Sequence, residues 1–402
     1  MTPCRHRVAL LVASVALLAR VATGAEETAL PDNPLHGRLL FESKQCVECH
    51  AMAGRSTREI GPRLDEGRFR GTFLDLGAAL WNHVPGMSVG FEDEGLPWPR
   101  LSAEEVSELT TFLYFLDYLG RPGVAANGKE LYAEKGCVFC HGVGGRSGPA
   151  PDLSDLKRFA SPLDIAQAIW NHGPAMLESM RERGIPPPHL DEGDLSDLSA
   201  YLRQIGQSGP QERVLLAPGN PNLGRELFTT KGCAVCHGET DAAGRGAPDL
   251  RFSDLHRSAD AIAGTMWNHA GPMSTTMREA GVGWPSFTTA ELADLVAYIY
   301  FLPFSDPAGD PARGASVFRE RSCAGCHGDA ERGASGAPSL VESAALGTSA
   351  EMVAAMWNHA PLMREAILGE GLPWPELSGR DLRDLRAYLK RVAGEPPARP
   401  GR

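Results

Sequence analysis

The sequence has little that would hold it in a bilayer. Its one sustained apolar run is Val8 to Ala19, and twelve residues fall short of the roughly 20 that a spanning helix needs. The run follows Arg5, His6 and Arg7 and leads into the small-residue stretch Val21 to Ala25. That is the layout of a secretory signal, with cleavage expected near Ala25 and no transmembrane segment left after it. Basic charge is also short: 39 Lys and Arg stand against 50 Asp and Glu, a formal net charge of −11. Residues 1–25 hold three arginines and no acid, so the mature chain has 36 basic against 50 acidic residues, or −14. An acidic exported chain is not expected to bind nucleic acid. No Ser-His-Asp set, phosphate-binding loop or second metal motif is present, and no run alternates like a strand.

Cysteine is sparse but ordered. Of nine, Cys4 falls in the signal segment, and the other eight form four pairs: Cys46/Cys49, Cys137/Cys140, Cys233/Cys236 and Cys323/Cys326. Export makes disulfides the default reading of such a set. A histidine follows every pair directly, however: His50, His141, His237 and His327. Zinc would need two pairs together, or one pair plus two more ligands. A dithiol redox pair would need a βαβ setting, which is absent. C-x-x-C-H is the spacing for covalent haem: two thiols bond the vinyl groups on one porphyrin edge, and the adjacent histidine reaches the iron. Four occurrences in a chain with only 12 histidines favour four attached c-type haems.

The first cysteines lie 91, 96 and 90 residues apart, an internal repeat of about four small units. Nine residues before each pair is a glycine (Gly37, Gly128, Gly224, Gly314), and five before is an aromatic (Phe41, Tyr132, Phe228, Phe318). A Pro-x-Leu follows each histidine, beginning at Pro62, Pro151, Pro248 and Pro338. Then Trp-Asn-His recurs at Trp81, Trp170, Trp267 and Trp357, with a methionine six residues past each tryptophan: Met87, Met176, Met273 and Met363. A first helix is expected before each cysteine pair, started by Asn33-Pro34, Asn220-Pro221 or Asp310-Pro311. A middle helix is expected to end at Trp-Asn-His. A last helix is expected to open on capping boxes such as Ser102/Glu105 and Thr288/Glu291. The expected boundaries are a signal at 1–25 and units at 33–120, 124–206, 220–304 and 310–393, an all-α chain with Pro/Gly-rich linkers.

Each unit resembles a class I cytochrome c domain, and the chain resembles four of them in tandem over roughly residues 33–393. The resemblance implies that the helix bearing Gly37 and Phe41 crosses the last helix at Leu109 and Phe112, and likewise in the other units. It implies that the carbonyls of Pro62, Pro151, Pro248 and Pro338 accept the second nitrogen of the haem histidines. It also implies a methionine opposite the histidine, which fits Met87, Met176, Met273 and Met363. The Trp-Asn-His histidines His83, His172, His269 and His359 are the other repeated donors, and would make bis-histidine haems instead. They are otherwise helix caps or propionate partners, a role open to the tryptophans as well. Unit two has Pro187 where the others have Trp98, Trp284 and Trp374, which suggests a more exposed haem there. In unit three, Pro272 is shifted by one place.

A periplasmic tetrahaem electron carrier for redox-partner proteins is the function these features imply, as a free carrier or as a subunit of a larger oxidoreductase. An enzyme or a sensor would need an iron with an open position, whereas every unit keeps both candidate ligands.

Overall fold

A computed structural model of the chain describes residues 30–394 except 32, 53–59, 65–68, 70, 144–147, 154–160, 207–217, 238–246, 252–257, 329–336 and 341–345. The expected signal segment and most of the linker between units two and three lie outside these residues. Among the described residues every regular element is helical, and one isolated bridge joins His141 and Ala150.

Unit one contains α1 (His36–Ser43), α2 (Phe73–Asp93) and α3 (Ala103–Phe115). Unit two contains α4 (Ala125–Glu134), α5 (Pro162–Arg183) and α6 (Asp194–Ile205). Unit three contains α7 (Pro221–Thr230), α8 (Ala259–Asn268), α9 (Ala270–Glu279) and α10 (Thr289–Phe301). Unit four contains α11 (Pro311–Glu320), the short α12 (Cys323–His327), α13 (Ser349–Gly369) and α14 (Gly379–Val392). The side chains of Asn220 and Asp310 each accept two backbone N–H groups at the starts of α7 and α11, satisfying donors that a helix leaves free. In unit one, Asn33 accepts only the Leu35 N–H, and the helix starts later, at His36.

The repeated glycines lie where two helices cross. A Cβ on Gly37 would sit 2.1 Å from the Glu108 carbonyl oxygen, and one on Gly128 would sit 2.0 Å from that of Asp197. Gly224 and Gly314 meet Asp294 and Asp384 in the same way, at 2.0 and 1.9 Å. Beside each crossing an aromatic pair packs: Phe41 with Phe112, Tyr132 with Tyr201, Phe228 with Tyr298, and Phe318 with Tyr388.

The middle helices depart from the expectation that they end at Trp-Asn-His. In units one, two and four they run on for about three more turns, with Pro85, Pro174 and Pro361 inside the helix. An internal proline leaves the carbonyl four residues earlier without its donor. Here those carbonyls belong to Trp81, Trp170 and Trp357, and each accepts an indole N–H from another unit: Trp374 at 3.1 Å, Trp284 at 3.0 Å and Trp98 at 3.1 Å. The helix continues because the missing bond is replaced from outside. In unit three the proline is one place later, and the helix breaks at His269 between α8 and α9.

The units therefore interlock out of sequence order. Helix α2 packs on α13 and α14, and α13 packs on α3, joining unit one to unit four; α5 and α6 pack on α8 and α5 packs on α10, joining unit two to unit three. Between the two pairs, Tyr114 and Tyr300 each donate the phenolic O–H to the other's backbone carbonyl, inside a fully buried cluster with Phe115, Tyr118, Phe301 and Phe304.

Asp306, between units three and four, accepts the Leu74 N–H at the start of α2. Burial pushes its carboxyl up to about 6. The folded state thus holds this proton more tightly than the unfolded chain, whose Asp titrates near 3.9. Its contribution to stability rises as pH falls through about 6 towards 4, and its full cost is felt above 6. Asp306→Asn is expected to stabilise the protein by up to about 3 kcal/mol at pH 7.5, an advantage that falls to about 1 kcal/mol by pH 4.5; thermal melts at both pH values check this.

Candidate functional site

Each Cys-x-x-Cys-His sits on one tight turn after the first helix of its unit. The residue before the first cysteine is left-handed in all four: Gln45, Gly136, Gly232 and Ser322 at φ 64°, 77°, 86° and 63°. This reverses the chain so that the following turn starts at the cysteine. The histidine N–H then bonds the first cysteine's carbonyl at 2.9 Å in units one, two and three, placing the ring one helical turn past that thiol. Each ring is held from behind: Nδ1 of His50, His141, His237 and His327 lies 3.0, 3.1, 3.2 and 3.2 Å from the carbonyl oxygens of Pro62, Pro151, Pro248 and Pro338. Nδ1 donates there, which leaves the Nε2 lone pair free for a metal.

The two thiols of a pair stand in different surroundings. Burial pushes the first of each pair, Cys46, Cys137, Cys233 and Cys323, up to about 11, and these cysteines pack against the hydrophobic core. The second cysteines do not share that packing. Cys49, Cys140 and Cys236 are half-buried, Cys326 is exposed, and none of the four belongs to the core-packed set. Each closes the turn, and its backbone rather than its thiol is what the fold uses. The N–H groups of Cys49, Cys140 and Cys236 bond back to the first cysteine's carbonyl at 3.2–3.3 Å. The carbonyls of Cys49 and Cys140 accept the Gly61 and Ala150 N–H groups at 2.9 and 3.1 Å, tying the turn to the loop that carries the proline. The protein core thus seats only the first thiol, and the Sγ atoms of Cys49, Cys140, Cys236 and Cys326 are left for a group outside it.

None of the eight described cysteines is in a disulfide. A dithiol redox centre needs a depressed thiol pKa, the opposite of the first thiol's environment. Among the described residues, no three of His, Cys, Asp and Glu gather into a metal-holding group, so zinc has no ligand set there. One thiol at an apolar wall, a second at the rim of the same turn and one oriented imidazole fit a covalently bound haem.

Two further donors per unit lie on the middle helices. His83, His172, His269 and His359 are exposed, and each ring directs Nδ1 at the carbonyl four residues earlier at 2.6–2.9 Å. Met87, Met176, Met273 and Met363 are half-buried and pack against the core. In units one, two and four, where one helix carries both, the methionine sits roughly 140° around the helix from the asparagine of Trp-Asn-His at 3.6 residues per turn.

That asparagine is a functional residue the sequence reading did not single out. Asn82 clamps Leu377 of unit four, donating to its carbonyl at 2.8 Å and accepting its N–H at 2.9 Å. Asn358 does the same to Leu101 of unit one, at 2.7 and 2.9 Å. Asn171 clamps Phe287, and Asn268 clamps Leu190. The tryptophans are buried at these joints, and backbone carbonyls rather than a propionate take their indole N–H groups. Trp81, Trp357, Trp170 and Trp267 donate to the carbonyls of Pro375, Pro99, Pro285 and Pro188 of the partner unit. Trp81 lies on Trp374, Trp98 on Trp357 and Trp170 on Trp284, at centroid separations of 4.3, 4.4 and 4.3 Å.

The two irregular units prove to be complementary. Trp98, Trp284 and Trp374 are inter-unit packing residues. Pro187 replaces this tryptophan in unit two, which faces unit three. Unit three is where the shifted Pro272 no longer frees the Trp267 carbonyl. The missing indole and the missing acceptor are two sides of one contact. Lys44, Lys135 and Lys231, two residues before the first cysteine, fasten the same loops by bonding the carbonyls of Arg100, His189 and Ser286 at 2.7–2.8 Å.

A sequence model of the family described as cytochrome c matches residues 125–206, 222–302 and 311–393. The chain is 25% identical over 190 residues to the cbb3-type cytochrome c oxidase subunit FixP of Azorhizobium caulinodans, covering 44% of this chain and 59% of that protein. It is 32% identical over 123 residues to subunit FixPc of Rhizobium leguminosarum bv. viciae, covering 28% and 40%. It is 29% identical over 99 residues to a cytochrome c-550-like protein of Synechococcus sp., covering 22% and 56%. The chain thus spans less than two thirds of each of these relatives. No solved structure matches it. With three matched domains over more than half of its length, this all-α chain belongs to the cytochrome c family, whose members bind c-type haem and carry electrons.

Proposed function

We propose that the protein is a periplasmic tetrahaem electron carrier, with unit one a fourth cytochrome c domain and domains at 33–120, 124–206, 220–304 and 310–393. The observation that supports four haems is the repetition of one donor geometry: left-handed entry, cysteine turn, and histidine Nδ1 on a proline carbonyl. Unit one, beyond the matched residues, has it at Gln45, Cys46 and His50–Pro62. When bound, haem supplies a one-electron ferric/ferrous couple. Cys46 and Cys49, Cys137 and Cys140, Cys233 and Cys236, and Cys323 and Cys326 would each hold one haem through two thioethers, the first thiol from the core side and the second from the rim of the turn. His50, His141, His237 and His327 present Nε2 while the proline carbonyls hold their rings. Met87, Met176, Met273 and Met363 would supply the second protein ligand, in preference to the exposed Trp-Asn-His histidines. Two strong ligands leave no position for substrate, so the reaction is electron transfer between redox-partner proteins. Similarity to oxidase subunits supports delivery into a larger oxidoreductase, and the Val8–Ala19 segment supports export.

The mass of the mature chain is expected to exceed that of the polypeptide by four haems. Three would remove unit one from the reading. Carbon monoxide is expected to leave the Soret band of the reduced native protein unchanged, and to shift about one quarter of it in Met87→Ala, since that variant opens one iron of four. An unchanged Met87→Ala spectrum would move the ligand to His83.

A further inference from the structure

The Trp-Asn joint decides which units are neighbours: unit one meets unit four, far away in sequence, and unit two meets unit three. We propose that it is a positioning device for electron transfer, holding the four centres as two coupled pairs, unit one with four and unit two with three. This rests on the reading that every unit carries a haem. Reducing an iron changes its charge by one, and the potential of a nearby centre feels that charge most strongly through continuous low-dielectric protein. Such an interior exists between units one and four, where α2 and α13 pack together and two indole stacks close the seam. It exists also between units two and three, with one stack. Unit one is joined to unit two, and unit three to unit four, by short linkers instead, and among the described residues all extensive helix packing between units is within the two pairs.

In units one, two and four the middle helix presents its Trp-Asn face to the partner and carries its methionine roughly 140° around from the asparagine; in unit three Trp267 and Asn268 end α8 and Met273 lies on the adjoining α9. The clamp therefore fixes each ligand-bearing helix relative to two centres at once. The pairs are unequal: the first has two indoles bonded to proline-freed carbonyls, the second has one. The Tyr114/Tyr300 contact is where the two pairs meet. The chain thus holds one stiffer and one looser pair, and electrons are shared within a pair before they cross between pairs.

The test uses the four-haem holoprotein. Met363→His and Met87→His each replace one proposed ligand with one that lowers the potential, and electron paramagnetic resonance reports whether that ligand changed. Potentiometric titration then reads the four steps. If unit four reduces before unit one in the native protein, Met363→His keeps it oxidised while unit one titrates, and one other step moves up. If unit one reduces first, Met87→His does this to unit four. One of the two variants is therefore expected to raise a single step and leave two in place, and the raised step is the one displaced in the double variant. Adding Asn82→Ala and Asn358→Ala is expected to remove most of that rise. The proposal is overturned if neither variant moves another step, or if the step that moves belongs to unit two, as identified with Met176→His. Unchanged resonance spectra would reject the methionine ligands rather than the pairing. The same titration is then read after Cys323→Ser with Cys326→Ser, confirmed by a mass one haem lower. The unit-one step is expected to shift there and the steps of units two and three to stay; the reverse overturns the pairing without reference to any methionine.

Discussion

Gly224→Ala is expected to destabilise the protein by roughly 2–4 kcal/mol and to yield chains lacking one haem. Alanine is the better helix former by about 1 kcal/mol, so local propensity argues the other way. Packing decides. The new Cβ would sit 2.0 Å from the Asp294 carbonyl oxygen and 2.7 Å from the Tyr298 Cβ, far inside normal contact. The helices cannot slide apart easily, because the N-terminus of α7 is pinned to the same stretch of α10. The Asn220 N–H bonds the Asp294 carboxylate at 2.7 Å, and Gly219 lies against the Ala293 carbonyl, 2.2 Å from where its own Cβ would be. Gly90→Ala is the control: a Cβ there meets nothing within 4 Å, so it is expected to leave the melting temperature unchanged or raise it. The mass of the holoprotein and its thermal melt read both. If Gly224→Ala melts with Gly90→Ala, the crossing is wrong.

Much of this architecture was legible because the chain repeats itself. A glycine at one offset in every unit signals a close approach that a single copy would not reveal, and a histidine after every cysteine pair separates haem attachment from disulfides by repetition alone. The capping boxes at Ser102 and Thr288 form as read. The difference between the two thiols of a pair was not legible, since Cys46 and Cys49 look alike in sequence and only packing separates them. Pairing between units was not legible either. Periodicity gives one helix and its apolar face, but not which distant segment covers that face. Trp-Asn-His looked like a helix end because proline follows it, and a proline-freed carbonyl usually does end a helix. Here the donor that rescues the helix is 293 residues away, from Trp374 to Trp81. The two departures in units two and three were visible as separate oddities. Only the contact of α5 with α8 shows them to be one compensated change.

Asn358→Ala carries the second large effect, and its signature is that a change in unit four is felt in unit one. The Asn358 side chain replaces a stretch of β-ladder, giving and taking one hydrogen bond each with the Leu101 backbone. Leu101 is 6% exposed, so alanine strands a buried N–H and a buried carbonyl that water cannot readily reach. Leaving such groups unmet costs about 1–3 kcal/mol each, which sets an expected loss of roughly 2–4 kcal/mol. His359→Ala, one residue along, removes an exposed ring bonded only to its own helix and is expected to change stability by less than about 0.5 kcal/mol. Hydrogen exchange at the Leu101 amide is expected to accelerate at least tenfold in Asn358→Ala and to stay slow in His359→Ala. Because Leu101 begins the loop into α3, whose capping Glu105 pairs with Lys44 at 2.7 Å, the loosening passes towards the Cys46 turn. On the proposed reading that unit one carries a haem, that haem is therefore expected to titrate over a broader range in Asn358→Ala while the mass of the holoprotein shows no haem lost. Unaltered exchange at Leu101 would mean that the clamp does not bind unit four to unit one in solution.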